Sequence, residues 1–164
     1  MIRHYTLENE QWVARPLKEV FAFFSDARNL EVLTPAWLKF RILTMPIAME
    51  SKTKIDYRIS WHGLPMRWTT EILRWAPPHE FVDLQLSGPY RLWHHTHRFE
   101  AERGGTRITD IVHYALPLGP LGRIAHVLWV KGDIKKIFAY RSERIAELFG
   151  GCEMGNRKWR VDMS

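Results

Sequence analysis

Residues 91–117, RLWHHTHRFEAERGGTRITDIVHYALP, hold two alternating runs separated by a glycine pair. Side chains along a strand point to opposite faces in turn. One phase of the first run is Trp93, His95, His97 and Phe99, and one phase of the second is Ile108, Asp110, Val112 and Tyr114. These are the more apolar phases and are expected to point inward. A two-residue loop at Gly104–Gly105 pairs residue 103 with 106, which sets Phe99 opposite Asp110, His97 opposite Val112 and His95 opposite Tyr114. Both inward phases then share one face, and Asp110 becomes the diagonal neighbour of His97, about 7 Å away between β-carbons.

The same alternation extends outward from this hairpin. In KIDYRISW, residues 54–61, Ile55, Tyr57, Ile59 and Trp61 alternate with polar residues, which reads as a strand wet on one side and followed by a turn at HGLP, 62–65. Further strands are expected over 66–75 and 80–87, set off by the turn signals APP and SGP. Residues 2–14 read as a first strand that stops at Pro16, which cannot donate to a ladder but suits a first helical turn. Leu17, Val20, Phe21 and Phe24 then fall at helical spacing, and a second short helix over 26–33 is entered through Asp26. After Pro117 and Pro120, Ile124, Leu128, Ile134, Ile137, Phe138, Ile145, Leu148 and Phe149 trace one helical stripe, ended by Gly150–Gly151. The order is that of an α+β fold. One domain over residues 1–150 is expected, with the aperiodic basic stretch 151–164 as a mobile tail.

Composition narrows the class. In 164 residues, 46% hydrophobic and 26% charged content argue against disorder and coiled coil. An aromatic share of 13% with 8 Trp exceeds what a core of this size needs, so a flat or apolar molecule is expected inside. A single cysteine, Cys152, excludes an internal disulfide framework and points to a reducing cytoplasm. No apolar leader or bilayer-length run is present. The net charge of +6 is spread over Arg58, Arg67, Arg98 and Arg107, mostly in outward phases, with Arg157, Lys158 and Arg160 near the end. No nucleic-acid motif accompanies them, so nucleic acid is not expected, and weak attraction to an anionic membrane surface is the functional alternative to a solvated face.

The segments RPLKEVFAFFSDARNLEVLTPAWLKF, FVDLQLSGPYRLWHHTHRFE and GGTRITDIVHYALP resemble the SRPBCC superfamily. This is the helix-grip fold shared by START lipid-transfer domains, birch-pollen-allergen-like proteins and polyketide cyclases or dehydrases. The resemblance runs from Tyr5 to Phe149 and is closest to stand-alone bacterial ligand-binding members. It implies a curved antiparallel sheet of about seven strands wrapped around a long C-terminal helix, with two short helices after the first strand. It supplies no catalytic motif.

The expected cavity would be lined by Trp68, Asp83, Gln85, Trp93, His95, His97, Asp110 and Tyr114. The hydrophobic pattern does not orient Asp83 and Gln85: a three-residue turn at 88–90 places Asp83 opposite His95, and a two-residue turn places Leu84 opposite Trp93. The resemblance favours the polar-inward version. His97 backed by Asp110 is the candidate acid–base pair, since a carboxylate that orients an imidazole makes a general base. Buried His and Asp that merely satisfy each other are the structural alternative. His95 and His97 also have the spacing of two metal ligands on a strand, with Asp110 or Asp83 as a third, but such pairs are more often hydrogen-bonded wall residues, so neither metal nor cofactor is expected. The chain is therefore expected to bind a hydrophobic or aromatic small molecule as carrier, sensor or sequestering protein. A cyclase- or dehydrase-type lyase or isomerase and a surface interaction module through the basic face are the alternatives.

Overall fold

The computed structural model describes residues 3–44 and 48–163. The first strand, β1 (Arg3–Val13), alternates buried Tyr5, Leu7, Asn9, Gln11 and Val13 with half-buried residues; Ile2, included in the expected span, lies outside the described residues. Pro16 precedes α1 (Leu17–Phe24), which buries Val20, Phe21 and Phe24. The second helix, α2 (Asn29–Val32), is shorter than expected. Asp26 does not cap it and instead accepts the Arg28 backbone N–H at 3.0 Å and its guanidinium at 2.6 Å, which braces the preceding turn.

Then follow β2 (Arg41–Ile42), β3 (Lys54–Trp61), β4 (Leu64–Ala76), β5 (Glu80–Ser87), β6 (Leu92–Glu102) and β7 (Gly105–Ala115). After the C-terminal helix comes β8 (Cys152–Met163). Together they form one antiparallel sheet in the order β2-β3-β4-β5-β6-β7-β1-β8. The eighth strand corrects the expectation of a mobile tail. It pairs with β1 from Cys152 opposite Val13 to Met163 opposite Arg3. The segment lacks a readable period because its anchors are unlike residues: Arg157 Nε donates to Asn9 Oδ1 at 2.8 Å, and the Trp159 ring packs edge-on against Tyr114.

The β6–β7 loop also differs from its reading. It consists of Arg103 and Gly104, with φ of 50° and 74°, so Glu102 pairs with Gly105. Gly105 opens β7, where glycine is required by close packing and not by the turn: a β-carbon there would lie 2.2 Å from the Val13 carbonyl oxygen and 2.6 Å from the Trp12 ring. Moving the loop by one residue shifts partners by two, which keeps the face and changes the neighbours. His97 therefore faces Asp110 directly, His95 faces Val112 and Trp93 faces Tyr114.

The long helix is composite: α3 (Gly119–Ala125), a π-helical turn (His126–Val130) and α4 (Lys131–Phe149). The expected single stripe divides at the π turn. Ile134, Phe138, Ile145 and Phe149 of α4 are buried, whereas Ile124 and Leu128 are exposed, as are Leu118, Leu121, Val127 and Trp129; Leu148, within α4, is exposed because it falls beside the buried stripe and not on it. A π turn spends more residues per revolution than an α-helix, so the residues before it are rotated relative to those after it. Two apolar clusters join α4 to the sheet, one around Phe21, Phe99 and Ile145, the other around Leu7, Tyr114 and Ile134. The Gln11 amide of β1 adds a hydrogen bond to the Ser142 carbonyl at 2.8 Å. On the outer face Arg58 and Arg67 are exposed, while Arg98 pairs with Glu80 and Arg107 with Glu100 and Glu102, so part of the basic face is neutralised. Among the described residues no helix is long and apolar enough to cross a membrane.

Candidate functional site

The sheet bends away from α4 at β3 and β4, leaving a cavity of about 410 Å³. Tyr57, Ile59 and Trp68 from β3 and β4, Trp93 from β6, and Ile134 and Phe138 from α4 make its walls apolar. The volume is that of a small-molecule site. Leu118 and Leu121 both line the cavity and reach the surface, which puts its mouth at α3.

One end of the chamber is polar. Asp83 lies opposite His95 in the β5–β6 ladder, which is the inward register of the three-residue-turn reading. Four charged or titratable side chains, Asp83, His95, His97 and Arg141, line that end, with Asp110 behind them. His95 Nε2 donates to Asp110 Oδ1 at 2.9 Å, and His97 Nε2 donates to Asp83 Oδ2 at 2.8 Å. His97 Nδ1 faces Asp110 Oδ1 at 3.2 Å, and Arg141 Nη2 is 3.6 Å from the same oxygen. His97 is further clamped by stacking on Phe81, with centroids 4.1 Å apart, and by the tilted ring of His95, whose centroid is 3.8 Å away.

Burial and charge set the protonation states. Burial by itself would lift the Asp110 carboxyl, but the Arg141 charge and the hydrogen bonds from His95 and His97 outweigh it and hold the group well below the usual carboxylate range. Asp83 is held low against the same burial by its His97 hydrogen bond and the neighbouring positive charges. Burial would also depress His97, yet its two carboxylate partners raise it. His95 goes the other way, pushed down to about 4 by burial and by the charge on His97. The cluster then carries two carboxylates against His97 and Arg141, a balanced set that a buried site requires.

The expected residues divide by this geometry. Trp68, Asp83, Trp93, His95 and His97 line the cavity. Asp110 supports it from behind, in contact with both histidines rather than His97 alone. Gln85 does not line it: its amide donates to the Tyr90 carbonyl at 2.6 Å and accepts the Tyr90 N–H at 3.3 Å, buckling the 88–90 turn. Tyr114 is fully buried beside the cavity, stacked on Tyr5, with its hydroxyl 2.8 Å from His126 Nε2.

Two features escaped the sequence reading. Arg141 sits between Phe138 and Ile145 at spacings of three and four, a charge within an apolar helical stripe, and that interruption was a readable signal. Asp133 accepts from Trp61 Nε1 at 2.7 Å and from His62 at 2.8 Å, tying the β3–β4 turn to the start of α4, and no local pattern announces that pairing.

Residues 13–128 match the family described as polyketide cyclase / dehydrase and lipid transport. Solved structures of similar fold include TTHA0849 from Thermus thermophilus, with a TM-score of 0.66 at 18% identity over 87% of this chain and 98% of that one. Protein Ms6760 from Mycobacterium smegmatis aligns with a TM-score of 0.63 at 17% identity over 87% and 89% of the two chains. Ginseng major latex-like protein 151 from Panax ginseng aligns at 0.62 and 9% identity over 90% and 98%. No curated protein matches the chain significantly.

Proposed function

The chain belongs to the polyketide cyclase / dehydrase and lipid transport family, and from that premise we propose that it encloses a hydrophobic or aromatic small molecule between β3–β6 and α4, as a carrier, sensor or sequestering protein of the cytoplasm. The observation that carries this reading is the largely apolar chamber of about 410 Å³ with Asp83, His95, His97 and Arg141 gathered at one end. Apolar walls supply affinity without direction, and the few convergent polar groups orient what enters. A ligand with an aromatic or alicyclic body and one oxygen-bearing end suits it, its body against Trp68 and Trp93 and its oxygen toward His97 and Asp83.

The test is native mass spectrometry of gently purified protein, followed by titration with 1-anilinonaphthalene-8-sulfonate. Copurified organic mass, or saturable probe binding that raises the Tm and is abolished by Ala125→Phe at the cavity wall, is the expected result. A protein that carries no copurified organic mass and shows no saturable probe binding overturns the proposal.

A second reading is favoured by one observation: the imidazole of His97, held between Asp83 and Asp110, lines the chamber. A group so placed can deliver or remove a proton next to a carbonyl in a cyclase- or dehydrase-type step. Turnover of a screened substrate that disappears in His97→Gln while apolar affinity persists would establish it, and a parallel loss of both would not.

A further inference from the structure

We propose that Asp83, His95 and His97 form a site for a divalent transition-metal ion at the polar end of the cavity. The inference is independent of the hydrophobic ligand, since the site is defined by its donor atoms alone. One ligand atom from each residue lies within 4.8 Å of the other two. Asp83 Oδ2 is 2.8 Å from His97 Nε2 and 3.9 Å from His95 Nδ1. Metal bonds of about 2.0–2.2 Å place tetrahedral ligands roughly 3.5 Å apart, so side-chain adjustments of about an ångström close the set.

What distinguishes this cluster from an ordinary pair of wall histidines is its second layer. Asp110 Oδ1 contacts the ring nitrogens turned away from Asp83: His95 Nε2 at 2.9 Å and His97 Nδ1 at 3.2 Å. A carboxylate on the far nitrogen fixes the tautomer and orientation of a ligating imidazole and makes it a better donor. Arg141, 3.6 Å from the same oxygen, holds Asp110 in place. A metal would replace the proton that otherwise bridges His97 and Asp83. Two imidazoles and one carboxylate suit zinc, ferrous iron or cobalt over magnesium or calcium. Because all three ligands sit on the cavity wall, the remaining coordination positions open toward the chamber, where a ligand oxygen can complete them.

The probe is Co²⁺ added to chelator-treated, full-length protein, read by visible ligand-field absorption. One Co²⁺ per chain, displaced by an equivalent of Zn²⁺ and insensitive to excess Mg²⁺, is expected. His95→Ala and His97→Ala should each weaken binding at least 100-fold, and Asp110→Asn about 10- to 100-fold. His94→Ala, on the opposite face of β6, should leave it unchanged. Absence of a stoichiometric wild-type spectrum, or equal affinity in the wild type and both cavity histidine variants, overturns the site. Should an alanine variant fail to fold by circular dichroism, X-ray absorption of the wild-type cobalt complex decides, because fewer than two imidazole ligands excludes the assignment. Binding of 1-anilinonaphthalene-8-sulfonate by the metal-free protein reads the apolar chamber separately, so either finding can fail without the other.

Discussion

Ile134 and Ile145 stand on the same helix, α4, and each is 1% exposed. Ile145 is packed among Val13, Val20, Phe21, Phe24, Phe99 and Ile108, whereas Ile134, packed with Leu7, Val112 and Tyr114 on one side, lines the cavity on the other. Replacement by Ala removes the same three carbons at both sites, a transfer loss of about 2.4 kcal/mol at ~0.8 kcal/mol per methylene. At Ile145 the densely packed neighbours cannot close the hole, and the added void brings the total to about 4 kcal/mol. At Ile134 the new hole joins the chamber, which opens to the surface at Leu118 and Leu121 and can admit solvent, so no sealed void is added and the loss stays at about 2.5 kcal/mol. For a chain of this length 1 kcal/mol is worth about 2–4 °C in Tm. Ile145→Ala should then lower the Tm by about 8–16 °C and Ile134→Ala by about 5–10 °C. Urea and thermal unfolding of ligand-free protein, followed by circular dichroism, measure both. Equal losses near 4 kcal/mol would mean that the chamber closes around Ile134 in solution, and the cavity-based reading would fall with it.

The β6–β7 register makes a second comparison. Gly105→Ala forces a β-carbon against the Val13 carbonyl and Trp12 ring and should cost about 3 kcal/mol, while Gly104→Ala meets nothing within 4 Å and should cost only about 1–2 kcal/mol for its left-handed φ. The reverse order by thermal unfolding would reinstate the Gly104–Gly105 loop. Truncation after Gly151 removes Trp159 from its contact with Tyr114 and Arg157 from Asn9, and should lower stability by at least about 3 kcal/mol; an unchanged Tm would return residues 152–163 to the status of a tail. His126, stacked on Tyr5, is pushed down to about 4 by burial and by Lys131. Its folded value lies below the unfolded one near 6.5, so the unfolded chain binds more protons between the two. Stability contributed by His126 is whole above about pH 6.5 and is lost as pH falls toward 4. His126→Gln should flatten that part of the Tm–pH curve, and an unaltered slope would show that the imidazole is not held neutral.

Much of this protein was legible in its sequence because the signals were local. Alternation in 54–61 and 91–117 specifies strands, Pro16 and Gly150 bound helices, and the inward phases of Trp93, His95, His97 and Asp110 follow from a period of two that a one-residue error in loop position does not disturb. The partner of each residue was another matter. It depended on Gly105 being demanded by the approach of Val13 and Trp12 from the far end of the chain, a contact that no window of sequence contains. The same holds for β8, which has no pattern of its own and is ordered by the open edge of β1. It holds for the π turn at His126–Val130, which rotates one half of an apparently continuous stripe into solvent. The site divides along that line. The inward face of His95, His97 and Asp110 was written in the order of the chain, while the inward register of Asp83, the ring-by-ring pairing of His95 with Asp110 and His97 with Asp83, and the arrival of Arg141 from α4 came from the tertiary structure. Periodicity states which face a side chain occupies; only long-range packing determines what it meets there.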